Sequence, residues 1–355
     1  MTSNAPALWI SESDVTSLLD MATAMAALEQ GLQLEARGEA TNMTKTHVAW
    51  SGGNLHAIGA SFAGAAQPTP PPGGSPAEGG IVGTKTWAYT PRGSTPLLIL
   101  FDSASGALVA VIEAFALGQM RTASISGVAT RRLARPEART FAIIGTGEQA
   151  LPQVAAVAAV RPVAAVRVFG RNPERRAAFV RRVEEELGIS ASGADSVASA
   201  VEGAEVITLV TRATEPFLRS AMVARGAHVN AVGAITPERA EFEPEILDRC
   251  DPIVVDSVDQ TKRLSREFLS YFEHGRKAWS AVTPLSALVA GSQGRPQEAD
   301  LTLFKAMGMG ISDLSLGIRC YRHAAEQGLG RSVPHPQRAR IRLRPAKTIP
   351  GGVRQ

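Results

Sequence analysis

The chain has 355 residues, 45% of them hydrophobic, which allows two domains of ordinary size with real cores. Lys and Arg outnumber Asp and Glu by only 37 to 33, and the densest basic stretches, 131–139 and 338–344, carry no aromatic residue; no nucleic-acid footprint is expected. The two cysteines, Cys250 and Cys320, form no C-x-x-C pair, and the N-terminal stretch lacks a basic start and apolar core, so a reducing cytoplasm is expected. The longest Ala/Val run is cut by Arg161 and Pro162, so no membrane partner is expected. The six histidines show no H-x-x-x-H spacing, and no metal is expected.

Taken in order, Ser11 can cap a first short helix with Asp14 as its capping-box acid. A second helix is expected over 22–37, where Met25, Leu28 and Leu32 continue a core stripe from Met21. Strands follow over 41–50, 55–62, 81–90, 96–101 and 107–113, separated by the turn signals Ser51-Gly52-Gly53-Asn54, Pro91-Arg92-Gly93 and Ser105-Gly106. The Pro/Gly stretch 67–80 is either a lid over a site or a disordered insertion, and its composition favours the second.

Parity on the strand 81–90 places Lys85 on one face with Ile81, Gly83, Trp87 and Tyr89. A lysine there either snorkels at the sheet edge or serves an anionic substrate in a pocket, and the second reading is favoured. Lys45 and His47 share a face by the same parity and are expected to reach the same space. On a helix over 114–133, Arg121 heads the apolar face of Ile125 and Val128. It is a candidate for a bidentate carboxylate contact, with a structural salt bridge as the alternative.

The stretch 139–150, R-T-F-A-I-I-G-T-G-E-Q-A, organises the rest. A short buried strand, a glycine turn and an Ala-rich helix from Glu148 make the context of a dinucleotide fingerprint. Gly145 allows the turn, Gly147 lets backbone approach a pyrophosphate, and Ala150 lets helix and strand pack; Thr146, Glu148 and Gln149 complete the turn. The next strand, 165–169, ends in Gly170-Arg171-Asn172 with no acid for a ribose 2′-hydroxyl. A guanidinium there suits a 2′-phosphate, so NADP is favoured over NAD. A helix over 173–187 and strands over 205–210, 227–232 and 252–256 continue the alternation of a doubly wound parallel sheet, an α/β fold. Thr211 and Val232-Gly233-Ala234 close two of these strands and are expected around the nicotinamide. Residues 301–310 lead into a last helix over 311–326.

Several strings resemble the ornithine cyclodeaminase/μ-crystallin family: G-T-K at 83–85, R-T-A at 121–123, G-T-G-E-Q-A at 145–150, V-R-V-F at 166–169, H-V-N-A-V-G-A at 228–234 and T-L-F-K at 302–305. The match runs in order over about 10–326. The resemblance implies a substrate and dimerisation domain from 1–118 with 311–355, a Rossmann domain over 119–310, and a homodimer whose N-terminal sheets meet. It implies that Lys85 and Arg121 hold the substrate carboxylate, that Lys45 stands where the family has a further arginine, and that Thr122 of R-T-A lies with the cofactor residues. Cyclodeaminases of the family carry an aspartate just after N-A-V-G-x; here that position is Ile235, with Glu238 and Glu241 nearby as substitutes left open. The expected function is therefore NAD(P)H-dependent reduction of an imine next to a carboxylate, such as a cyclic ketimine, or the reverse dehydrogenation of an amino acid. The alternatives are an ornithine cyclodeaminase with bound NAD, an opine-type dehydrogenase of an N-substituted amino acid, and a non-catalytic NADPH-dependent ligand-binding protein.

Overall fold

The computed structural model describes residues 6–62, 80–291 and 294–343. The Pro/Gly stretch, except Gly80, lies outside the described residues. Two sheets organise the chain. The first collects β1 (Ala7–Ile10), β2 (Thr41–Asn42), β3 (Thr46–Trp50), β4 (Gly53–Phe62), β5 (Ile81–Thr90), β6 (Gly93–Ser94), β7 (Leu97–Asp102) and β8 (Leu108–Glu113). Helices α1 (Glu12–Leu18) and α2 (Met21–Ala36) follow β1, and α3 (Phe115–Leu133) leaves β8 for the second sheet. The capping box at Ser11 and Asp14 forms as expected.

The second sheet is parallel throughout. It contains β9 (Thr140–Ile144), β10 (Ala165–Phe169), β11 (Ser190–Gly193), β12 (Val206–Leu209), β13 (His228–Ala231), β14 (Cys250–Val255), β15 (Val282–Pro284) and β16 (Leu301–Lys305). Between its strands run α4 (Ala150–Ala158), α5 (Pro173–Leu187), α6 (Val197–Val201), α7 (Val258–Leu264), α8 (Arg266–Glu273) and α9 (Leu285–Ala290). Its order is β11-β10-β9-β12-β13-β16-β14-β15. Then α10 (Gly310–Gln327) returns to the first sheet, and β17 (Arg331–Val333) pairs with β1. The first sheet runs β17-β1-β8-β7-β5-β4-β2, with β3 on β4 and β6 on β5.

The alternation of β5 explains how α10 docks. Ile81, Gly83 and Lys85 are buried and their neighbours half-buried, so one face of the sheet meets the helix. Leu98, Leu100 and Ile112 continue that face, and Ile311, Leu314 and Leu316 fill the space opposite. The same core takes in Ile125 and Val128 of α3 and Phe304 of β16, so α3 joins the two sheets. A buried polar cluster fastens this joint. The His228 ring lies 3.0 Å from Thr302 Oγ1 and 3.1 Å from Asn230 Oδ1, and Asn230 Nδ2 donates to Thr130 Oγ1 of α3. Burial pushes His228 down to about 3, so it is neutral and structural.

Some expectations are corrected. The strand over 41–50 is two strands, β2 and β3, with residues 43–45 between them, so Lys45 is not on a continuous strand with His47. The segment Leu301–Lys305, read as a lead into the last helix, is a strand inserted between β13 and β14. All five of its residues are buried, so it shows no alternation to announce it. Helix α4 starts at Ala150 rather than Glu148, with Pro152 in its first turn, where its missing N–H costs nothing.

Candidate functional site

A cavity of about 1180 Å³ opens between the two sheets, beyond the carboxyl ends of β9, β10, β12 and β13. This is where open parallel sheets place ligands. One half is a dinucleotide cradle. Gly145 has φ +123°, and a Cβ there would fall 2.6 Å from the Val210 carbonyl oxygen. Gly147 has nothing within 4 Å of where its Cβ would be, so the turn presents bare backbone to the cavity. Thr146, Glu148 and Gln149 line the same space, and the Gln149 Oε1 atom is buried with no hydrogen-bond partner. The open glycine lets the backbone approach a pyrophosphate, while the Gln149 amide oxygen is an acceptor that a donor such as a ribose hydroxyl would satisfy.

Arg171, Asn172 and Arg175 line the cavity past the end of β10. Asn172 caps α5 by accepting from the Arg175 backbone N–H. At the other end of the cradle, Thr122, Thr211, Val232 and Gly233 line the cavity. Ala234 does not: it is buried, and its backbone is engaged by Glu241 and Lys305. Glu241 accepts from Thr211 N and Oγ1, Gly233 N and Ala234 N at 2.6–3.1 Å, pinning the loops after β12 and β13 to one carboxylate. Lys305, fully buried on β16, donates to Ala234 O at 2.6 Å and lies 3.4 Å from Glu267. Burial pushes the Glu241 carboxyl up, opposed by the nearby Lys305 charge and these donors.

The second half carries charge from the first sheet and α3. Lys45 and Arg121 line it beside Ile58, Trp87, Ile235, Met307 and Gly308. Lys85 lies just behind this lining with 6% of its side chain exposed, its Nζ 2.5 Å from Asp313 Oδ1 and 5.2 Å from the Trp87 ring. Arg121 Nε is 3.3 Å from that same Asp313 oxygen. Burial lowers the Lys85 ammonium to about 8, with Asp313 opposing the shift and Arg121 reinforcing it. Lys45 is also lowered by burial and by Arg121. Asp256, at the end of β14, accepts from Met307 N and Gly308 N and so holds the loop against Arg121.

The sequence thus locates most of the lining but misses the acids. His47 is exposed and does not line the cavity with Lys45; its ring lies 5.7 Å from that of His56, which stacks on Trp87. Sequence alone does not pair Asp313 with Lys85 or Glu241 with the loops, because pairing across the chain leaves no local spacing to read. Neither acid near Ile235 replaces the missing aspartate. Glu241 is spent on the loop backbone, and Glu238, well exposed, does not line the cavity. Among the described lining residues the acids are Glu148 and Glu215. No group of histidines, cysteines and acids among the described residues could hold a metal.

The model of the ornithine cyclodeaminase/mu-crystallin family matches residues 7–328. The chain belongs to this family. Within the family it is 32% identical over 239 residues to a Δ1-pyrroline-2-carboxylate reductase of Bacillus cereus, a match covering 67% of this chain and 73% of that one. A solved structure of the Thermococcus litoralis Δ1-pyrroline-2-carboxylate reductase with NADH and L-proline superposes with a TM-score of 0.82 at 26% identity, covering 92% of this chain and all of that one. An archaeal alanine dehydrogenase dimer with bound NAD gives 0.81 at 27% identity, covering 92% and 98%.

Proposed function

We propose that this family member reduces an imine adjacent to a carboxylate with NAD(P)H, and in reverse dehydrogenates the corresponding α-amino acid. The observation that carries this is one continuous cavity, with a pyrophosphate cradle at one end and Arg121 and Lys45 at the other. Reductases of Δ1-pyrroline-2-carboxylate among the relatives support the reaction class. The turn Gly145–Gln149 would hold the pyrophosphate, Arg171 with Arg175 the 2′-phosphate of NADP, and Thr122, Thr211, Val232 and Gly233 the nicotinamide end. A reduced nicotinamide supplies the hydride that the imine carbon takes up.

The chain's own residues do the rest. Arg121 presents a guanidinium fork to the substrate carboxylate, and Lys45 adds a point charge. Lys85 gives the imine nitrogen one proton as the C=N π pair becomes a nitrogen lone pair, and regains that proton from solvent. Ile58, Trp87, Ile235 and Met307 form apolar walls. These suit an uncharged ring rather than an aminoalkyl chain, because among the described residues no carboxylate lines this end to meet an ammonium. The same absence disfavours ornithine cyclodeamination. A cyclic ketimine such as Δ1-pyrroline-2-carboxylate is the substrate type.

A homodimer is part of the proposal. The face of the first sheet away from α10 carries Val82, Ile99, Phe101 and Val111, all half-buried, and exposed Val48 and Leu55. Such an apolar face fits a second copy of itself, and the archaeal relative is a dimer.

The test is absorbance at the nicotinamide band with Δ1-pyrroline-2-carboxylate and NADPH, with NADH in parallel. Faster loss of NADPH is expected. No loss of either, together with ammonia release from ornithine, would overturn the reading.

A further inference from the structure

Asp313 is a buried carboxylate without the usual duties of one. It sits in the first turn of α10 yet caps no backbone N–H. Its partners are both cations: Oδ1 takes the Lys85 ammonium at 2.5 Å and faces Arg121 Nε at 3.3 Å, while Oδ2 is buried with no hydrogen-bond partner. A carboxylate this deep is costly unless paired, so its pairing with two substrate-site cations requires a reason beyond helix stability.

Resting on the reaction proposed above, we propose that Asp313 is a positioning residue that holds Lys85 charged, and aimed at the imine nitrogen, beside a carboxylate-binding Arg121. The charges support it. Lys85, Arg121 and Asp313 sum to one positive charge, and adding Lys45 and Asp256 leaves the same sum. One carboxylate of substrate neutralises that. Without Asp313, two cations would face each other across a buried gap, and the titratable one, Lys85, would give up its proton.

Among the described residues, the groups facing Lys85 are Asp313 from α10, Arg121 from α3, Lys45 from the segment before β3 and the Trp87 ring from β5 itself. Of these, only Asp313 favours the ammonium through a full opposite charge. An opposite charge at this range moves a pKa by about one to three units. The Asp313→Asn variant should therefore titrate Lys85 about one to three pH units lower than the wild type. The reduction, which needs the ammonium, should lose its basic limb at correspondingly lower pH and recover in acid. The reverse reaction, which needs the amine, should extend to lower pH. A merely structural role would depress both rates at every pH without moving either limb.

The direct readout does not depend on turnover. Lys85 is one of six lysines in the chain, so its side-chain resonance in full-length protein labelled with ¹³C-lysine can be assigned by its loss in Lys85→Arg. A wild-type midpoint near 8 that falls in Asp313→Asn and is kept in Asp313→Glu supports the proposal. An unmoved midpoint in Asp313→Asn overturns it. If Asp313→Asn does not fold, displacement of the midpoint by more than about one unit in the charge-retaining Asp313→Glu overturns it instead. Failure of the wild type to consume either NADPH or NADH with the ketimine, together with ammonia release from ornithine, would refute the reaction reading alone, since the titration is read without substrate.

Discussion

Gly145 and Gly147 are two residues apart in one turn, yet the structure gives them different tasks, and alanine at each should fail differently. At Gly145, φ is +123°, a conformation that costs an L-residue about 1–3 kcal/mol. An added Cβ would also stand 2.6 Å from Val210 O and 3.0 Å from Val210 C, backbone atoms at the end of a central strand. Overpacking of that kind costs about 1–3 kcal/mol more. Gly145→Ala should therefore lose about 2–6 kcal/mol of stability. At Gly147 a Cβ meets nothing within 4 Å. Gly147→Ala should keep its stability to within about 0.5 kcal/mol. It should instead weaken NADPH by about tenfold or more, because the methyl occupies the place of closest approach to the pyrophosphate. Urea denaturation and fluorescence titration with NADPH read the two effects separately. A stable Gly145→Ala, or a Gly147→Ala that binds NADPH as the wild type does, would refute the division of labour.

Other expectations follow from the same cavity. Arg171→Ala should raise the Kd of NADPH about tenfold and that of NADH less than about twofold in the same titration; equal losses would remove the 2′-phosphate contact. Lys85→Met should lower kcat/KM for reduction by about 10²–10⁴ while leaving NADPH binding intact, as read by stopped-flow absorbance and by titration. Because the reduction uses the charged form, wild-type kcat/KM should fall as pH rises through about 8, and Lys85→Arg should lack that limb. Leu55→Asp, on the exposed apolar face, should halve the mass measured by light scattering while the monomer keeps its NADPH site.

Much of this was legible before the structure, and the reason is periodicity. The strand Ile81–Thr90 declares its two faces by alternation, so Lys85 could be assigned to the buried one, where it lies. Arg121 declares itself by heading an apolar helical stripe. The glycine turn is local, and its strand, turn and helix stand within a dozen residues. What stayed hidden was either uniform or distant. The β16 segment is buried on both faces, so nothing alternates. Residues 43–45 interrupt a stretch whose composition still favours strand. The acids were hidden because their partners are 228 residues away for Asp313 with Lys85 and 30 for Glu241 with Thr211.

Those two acids show how the site is built. Each half of the cavity is held by a fully buried carboxylate that faces the site's own machinery rather than solvent. Glu241 gathers backbone N–H groups of two loops, so the end proposed for the nicotinamide is a matter of fixed shape. Asp313 gathers two cations, so the end proposed for the substrate is a matter of fixed charge. A carboxylate lining the cavity near Ile235 would disturb the second arrangement, because it would offer Arg121 a competitor for the substrate. Ile235→Asp should accordingly raise KM for the ketimine more than it lowers kcat, with NADPH affinity unchanged. A fall in kcat alone would mean that position 235 contacts the reacting atoms without competing for Arg121, and the charge argument for this end of the cavity would fail.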